Sequence, residues 1–469
     1  MRKIHFLFLI FYFGINVANA QKADWYLPWE NEISRLAVDK VEAIPILLKG
    51  SNYRILKISG TDANRITFKS SSKKVKISFS YLPSIKNYNN QSILDAVLPL
   101  EMQDLSRERF FLVKFEGIYS GSENVSISVS NTTLNLSKTV MVSNSRPSTQ
   151  FDINVWAYFD YNLALKGKRK QIEDMLHTNG VNNIVIPPFA LPSISNKIAS
   201  FSKLENYLPI GAAKFKRYFI FLDLNKKGVK FDENFKISYK KWVDGLREVF
   251  KSRSIPIESI YIYLIDEPMP EGIQFINDVV SLDQALGFNS NFYSTFGSNT
   301  NQVYSIKNNK TFLAQIVSKK INFKPKFINN TYNYWTYDVV SNSRNVKPLY
   351  FISKSAEAYY SNSNGIGVWN FCDISKAYSN ADLAKALNVG SWKTKPTNPT
   401  YDYSLIYFDK NKIYPSLRLL ALSSACDDYI FLSDLMKNDL VRSKRSSGID
   451  LRSNYTNWEV KKLNTLNGK

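Results

Sequence analysis

Between residues 23 and 142 apolar and polar positions alternate in short runs. YRILKISG, RITFKSS, KVKISFSYL, RFFLVKFEGIY, NVSISVSN and TLNLSKTVMV are each bounded by Gly, Asn, Ser or Asp. A period of two marks a strand with one face buried, and regularly spaced short strands mark a layered all-β unit. After Leu36 no helical periodicity interrupts the series. The pattern therefore predicts an N-terminal antiparallel β-sandwich over residues 21–145. The polar, proline-bearing stretch SNSRPSTQ at 143–150 reads as a linker.

Beyond the linker, strands alternate with helices. INVWAYFDY, VNNIVIPPF, YFIFLDLN, SIYIYLIDEP and NFYSTFG read as strands; NYWTYDVV, KPLYFIS and GIGVWNF fit further ones. Between them KRKQIEDMLHTNG, SYKKWVDGLREVFKSR and EGIQFINDVVSLDQALG carry helical spacing, and the first and last close on Gly180 and Gly287. Repeated β-α units of this length predict an α/β domain, a (β/α)8 TIM-like barrel, over 151–445, followed by a C-terminal tail at 446–469. An open doubly wound sheet is the alternative. It lacks a Gly-rich strand-to-helix turn for a phosphate, since GSNTNQ at 297–302 has the wrong spacing.

Composition narrows the chemistry. Residues 1–20 combine basic Arg2 and Lys3, an apolar stretch from Phe6 to Ile15 and a small-x-small site at Ala18-Asn19-Ala20. That is the form of a signal peptide, so a secreted or periplasmic protein starting near Gln21 is expected. No later segment is long and apolar enough for a transmembrane span. The net charge is +21, spread as Lys among Asn and Ser without a dense block. It suits a solvated surface or an anionic polysaccharide, and an exported chain has no call for nucleic acid. Past the leader there is one histidine, His177, and two cysteines, Cys372 and Cys426. Multi-His zinc sites and a disulfide framework are excluded, so no metal and no cofactor is expected. Oligomeric state is not legible.

In a barrel of this kind the active site lies at the carboxyl ends of the strands. Asp266 and Glu267 end the apolar run IYIYLI and precede Pro268, which biases Glu267 towards an extended conformation. Strict alternation sends neighbouring side chains to opposite faces. Both acids therefore reach the mouth only if the strand ends or twists at Asp266. Asp160, Asp223 and Asp373 follow other strands, and Tyr293, Trp335, Tyr337 and Trp369 bring rings to the same region. Carboxylates and flat aromatic faces together are what glycoside chemistry uses: the acids supply a proton and stabilise an oxocarbenium-like centre, and the rings stack on sugar faces.

The runs YIYLIDEP and GVWNFCD, Trp392, and DYSLIYFDKNKIYPSLRLLALSSACDDYIFLSDL resemble the catalytic domain of glycoside hydrolase family 123. The corresponding tail residues are Pro415, Ser416, Arg418, Asp428 and Tyr429. One departure is that the tail helix usually carries a Gly before its Asp-Tyr pair, where this chain has SSACDDY. The resemblance implies a β-sandwich before a (β/α)8 barrel and substrate-assisted, retaining hydrolysis of a 2-acetamido sugar. Glu267 would then be the general acid and base, and Asp266 would orient the acetamido group. Trp369, Trp335, Tyr293, Tyr337, Asp160, Asp223 and Asp373 are the candidate substrate-binding residues, and the expected partner is a glycan or polysaccharide. Two alternatives stand beside this. One is a two-carboxylate glycosidase pairing Glu267 with Asp223 or Asp373; the other is a non-hydrolytic polysaccharide-binding or export protein. The bland reading makes the acidic pair a helix N-terminal cap, and has Arg418 and Asp428 hold the tail helix onto the barrel.

Overall fold

A computed structural model describes residues 21–469 except 62–63, 88, 145–150, 157–164, 195–199, 209–214, 223–229, 298–302, 304, 307–311, 318–332, 339–345, 370, 374–386, 388–402, 437–454 and 467–469. The N-terminal unit comprises β1 (Lys22–Tyr26), β2 (Ala43–Ile46), β3 (Ser51–Ser59), β4 (Phe68–Ser71), β5 (Val75–Leu82), β6 (Ser84–Lys86), β7 (Ser92–Leu94), β8 (Glu108–Gly117), β9 (Gly121–Val129) and β10 (Asn135–Val142). Two four-stranded sheets, ordered β1-β3-β8-β5 and β2-β10-β9-β4, form the sandwich, and β6 and β7 make a separate hairpin. Every pairing in the two sheets is antiparallel except β2 with β10. Alternation explains the core: along β9, Val125, Ile127 and Val129 are buried while Ser126 and Ser128 face water.

Eight parallel strands follow: β11 (Asp152–Val155), β12 (Asn183–Ile186), β13 (Arg217–Phe221), β14 (Ile260–Asp266), β15 (Asn291–Phe296), β16 (Phe312–Val317), β17 (Asn333–Asp338) and β18 (Gly365–Val368). Their order, β11-β18-β17-β16-β15-β14-β13-β12, leaves one seam between β11 and β12. The seam is closed by a parallel bridge between Ile153 and Val181. Asparagine side chains stitch it further: Asn183 donates to the Ile153 carbonyl at 3.0 Å and Asn182 to Asp152 at 2.9 Å. The architecture is a sandwich followed by a TIM-like barrel.

One strand assignment fails. KPLYFIS, expected as a strand, opens the helix Pro348–Tyr360. Pro348 sits at its first turn, where the missing N–H is harmless and the fixed φ suits a helix. Phe351, Ile352, Ser355, Ala356 and Ala358 then form its buried side. The sixth strand is instead FLAQIV, β16, an unbroken buried run with no alternation to signal it.

Among the described residues the helices are α1 (Arg169–Thr178), α2 (Ser202–Tyr207), α3 (Glu233–Ser252), α4 (Pro270–Ala285), α5 (Pro348–Tyr360), α6 (Leu417–Met436) and α7 (Tyr455–Leu466). Among the described residues no helix is long and apolar enough to cross a membrane. α6 and α7 join the two units. Arg418 of α6 is bonded to Asp95 of the N-terminal unit at 2.9 Å, and Tyr407 donates to the same carboxylate at 2.6 Å. Arg418 thus ties the tail helix to the N-terminal unit. On α7, Glu459 meets Arg54 of β3 at 2.7 Å, Lys462 meets Asp428 of α6 at 3.0 Å, and Tyr455 accepts from the Trp29 indole at 2.9 Å. All six side chains are buried.

Candidate active site

The barrel is filled by a cluster distinct from the layer between strands and helices: Trp156, Val185, Phe219, Tyr263, Tyr293, Leu313, Val317, Trp335 and Tyr337, with Phe221, Tyr261 and Trp369 packed against it. These are alternate residues of their strands, as the pleat requires. Two glycines in β18 make the filling possible. A Cβ at Gly365 would lie 2.5 Å from the Trp335 ring, and one at Gly367 would lie 2.3 Å from Gln315. At the N-terminal end the floor is closed by Asp152, which takes Arg217 at 2.7 Å and Lys216 at 3.1 Å. The Arg217 guanidinium stacks over Trp335 at 5.3 Å and Tyr261 at 5.5 Å.

At the opposite end lie Asp266 and Glu267, both exposed. Strict alternation from Tyr263 would turn Ile265 inward and Asp266 outward. The β14–β15 register shifts between Tyr263 and Asp266 instead. Such a bulge inserts one residue and reverses the side that follows. Leu264 and Ile265 both join the outer core, Ile265 against the first turn of α4 near Gly272. Asp266 is returned to the lumen side, where Thr295 donates a hydrogen bond to its Oδ1. Thr295 also shares a 2.9 Å hydrogen bond with the Tyr263 hydroxyl, so Asp266 stands above the ring cluster.

Glu267 leaves the strand differently from the extended conformation that Pro268 favours. Its φ is +44°, in the left-handed region. For a residue with a Cβ this costs on the order of 1–2 kcal/mol. The conformation is held by the Glu267 N–H, which donates to the Thr295 carbonyl at 3.1 Å. It sends the side chain over the end of β15, where a Cβ on Gly297 would lie 3.9 Å from the carboxyl carbon. Among the described residues, four of the other six non-glycine residues with positive φ are asparagines, which tolerate this region better than glutamate does. No salt bridge to a described residue engages either acid, whereas Asp152 at the barrel floor has two cations.

Trp369 follows β18 and is half-buried, with its ring 5.4 Å from Trp156 and tilted 50°. It stands at the carboxyl end of the barrel, and its N–H donates to the Asp338 carbonyl at 2.9 Å. Tyr293 and Trp335 have no exposed surface, and Tyr337 is nearly as buried. Tyr293 packs on Phe219 at 4.1 Å, and Trp335 on Phe219 at 5.8 Å. Their inward parity makes them barrel filling, and in this structure they offer no face to a sugar. Asp373 falls in a two-residue strand paired with Tyr403–Ser404 after β18. Asp160 and Asp223 lie outside the described residues. His177 is exposed in the last turn of α1, which leads into the amino end of β12.

The sequence reading passed over Trp156, Phe221, Tyr263 and Thr295. Trp156 packs on Phe221 at 5.9 Å and on Tyr263 at 5.5 Å, so these rings form the floor of the mouth. Burial first, and the Asp266 charge second, push the Tyr263 hydroxyl well above its ordinary pKa, so it stays a donor. Counting inward positions back from each strand end would have found Trp156, Phe221 and Tyr263. Nothing in the local sequence marks Thr295, because the bulge decides its role.

No family model matches the chain, and no curated protein matches it in sequence. Solved structures do. A family 123 glycoside hydrolase from Clostridium perfringens, described for glycolipid glycan hydrolysis, superposes with a TM-score of 0.61 at 12% identity, covering 90% of this chain and 89% of that one. The likeness is one of fold. A β-D-glucuronidase from Dictyoglomus thermophilum gives a TM-score of 0.35 at 10% identity, covering 81% of this chain and 69% of that one. A putative β-galactosidase from Bacteroides fragilis gives 0.35 at 10% identity, with 83% and 61% covered. At those scores neither carries an argument. The family 123 match extends over both units, so the sandwich-plus-barrel arrangement is shared across nearly the whole length.

Proposed function

We propose that this chain is a glycoside hydrolase acting on a glycan that contains 2-acetamido sugars, by a retaining, substrate-assisted mechanism. The observation that carries the reading is the bulge at the end of β14, which puts two neighbouring carboxylates, with no countercharge among the described residues, at the carboxyl end of a ring-lined barrel. The shared fold with a family 123 glycoside hydrolase supports it. In this mechanism Glu267 protonates the glycosidic oxygen as the C1–O bond breaks. The substrate's own acetamido oxygen attacks C1, and an oxazolinium ion forms. Asp266 accepts a hydrogen bond from the acetamido N–H and balances the developing positive charge. Glu267, now a carboxylate, takes a proton from water as that water opens the ring at C1. Configuration is retained after two inversions. Rings at Trp156 and Trp369 exclude water from one side, which strengthens both interactions.

The direct test is a set of arylglycosides of N-acetylated and plain hexoses. Release confined to the acetamido sugars is expected. Equal release after the acetamide is replaced by hydroxyl would indicate a two-carboxylate glycosidase. Glycan binding with no release of reducing ends would indicate a holding role instead. We further propose that residues 1–20 direct export. The mature N-terminus recovered from the cell envelope or medium should be Gln21, and retention of Met1 on the exported protein counts against it.

A further inference from the structure

We propose that Thr295 is the positioning residue of the acid pair, the centre of a hydrogen-bonded chain from Tyr263 that turns Asp266 so that its second oxygen faces the substrate. This deepens the functional proposal above and rests on it for its catalytic consequence.

Thr295 has no exposed surface and lies opposite Asp266 in the β14–β15 register. It is bonded to both acids. Its Oγ1 donates to Asp266 Oδ1, and its carbonyl accepts from the Glu267 N–H at 3.1 Å. The direction of the chain follows from what each group can do. An ionised carboxylate only accepts, so the single Thr295 hydroxyl proton is committed to Asp266. The 2.9 Å bond between Tyr263 and Thr295 must then be donated by the phenol. Burial keeps that phenol protonated. The order is therefore Tyr263 to Thr295 to Asp266, and it ends on Oδ1. The Tyr263 hydroxyl also lies within hydrogen-bonding reach of the Asp266 carboxylate, and Oδ2, the oxygen that Thr295 does not hold, is the one we assign to an incoming N–H. A bulge also loosens the ladder on either side of it, and the Thr295 bonds replace what the ladder no longer holds.

The test compares Thr295→Val, Thr295→Ser and Tyr263→Phe in the full chain, with a 4-nitrophenyl 2-acetamido-2-deoxyglycoside as substrate. Valine keeps the volume and removes the hydroxyl. We expect kcat to fall by roughly 10- to 100-fold, the scale of a small misplacement of a reacting group, with KM within about threefold. Serine should restore kcat to within about threefold, and Tyr263→Phe should cost less than valine because the Thr295–Asp266 bond survives. In an Asp266→Asn background, Thr295→Val should cost little more, since the group it positions is already altered. Full multiplication of the two losses overturns the proposal. A second readout needs no turnover: in a crystal structure of Thr295→Val, Asp266 should leave its present rotamer. An unmoved Asp266 overturns positioning whatever the chain hydrolyses. A wild type inactive on every acetamido glycoside overturns the functional reading, and the rotamer then decides the positioning alone.

Discussion

Two pairs of neighbouring acids occur at structurally important places, and they have opposite fates. Asp266 and Glu267 end a strand, stand exposed, and meet no cation among the described residues. Asp427 and Asp428 lie within α6, against the N-terminal unit and α7. There Asp428 is paired with Lys462 at 3.0 Å, and Asp427 accepts from the Ser51 N–H at 3.1 Å. Burial pushes the Asp427 carboxyl up to about 6, and the neighbouring Asp428 charge adds to that. For Glu459, beside this pair, burial would raise the carboxyl, but Lys462 and Arg54 outweigh it and hold it at about 2. Neighbouring acids in a sequence therefore say little until the environment is known. One pair stands exposed at the barrel mouth and meets no cation among the described residues. The other belongs to an ionic lock between the two units, with Asp428 buried on Lys462 and Asp427 half-buried on the Ser51 N–H.

Four experiments break or sharpen this contrast. The largest effect belongs to the mouth. Glu267→Gln should lower kcat by about 10²–10⁴-fold while glycan binding persists, as loss of a general acid does. Steady-state kinetics with an arylglycoside checks it, and a loss below threefold removes Glu267 from the chemistry. At the lock, Lys462→Ala leaves Asp428 and Glu459 buried with less countercharge. Equilibrium urea unfolding should show a loss of about 3–5 kcal/mol. A change under about 1 kcal/mol would mean that α7 is not a lock.

Trp369→Ala tests the half-buried ring at the mouth. KM should rise about 3- to 10-fold, equivalent to about 0.5–1.5 kcal/mol of ring contact, with kcat nearly unchanged. Unchanged KM places the sugar elsewhere. The smallest effect is Asp427→Asn. A folded-state pKa raised from 3.8 to about 6 means the native state binds the extra proton. The penalty is absent below about pH 4, grows between pH 4 and 6, and is complete above that. Asparagine should therefore stabilise the protein by about 1 kcal/mol at pH 7–8, and not at pH 4; the side chain is partly exposed, which limits the gain. Equal effects at both pH values refute the assignment.

Much of the fold was legible because its signals are local. Alternation gave the sandwich strands, with β9 as the clearest case, and apolar runs between helices gave seven of the eight barrel strands. The exception shows the limit. FLAQIV is buried on both faces and has no periodicity, while PLYFIS is apolar enough to pass for a strand until its proline is read as a helix start. At the site, the acids could be located at a strand end from sequence. How each leaves the strand could not, because it depends on one bulge and on a left-handed Glu267 held by a carbonyl of the next strand.

By itself the sequence determined most of the strands and helices, the order of the two units, and the placement of Asp266 and Glu267 at the end of a strand. These follow from periodicity and from the chain direction, which are properties of short stretches. Tertiary structure alone decided which rings fill the barrel and which reach its mouth, and which acids meet cations and which do not. It also decided that Thr295 stands between Tyr263 and Asp266. Each of those depends on register between strands distant in the chain, and a shift of one residue reverses every side chain after it.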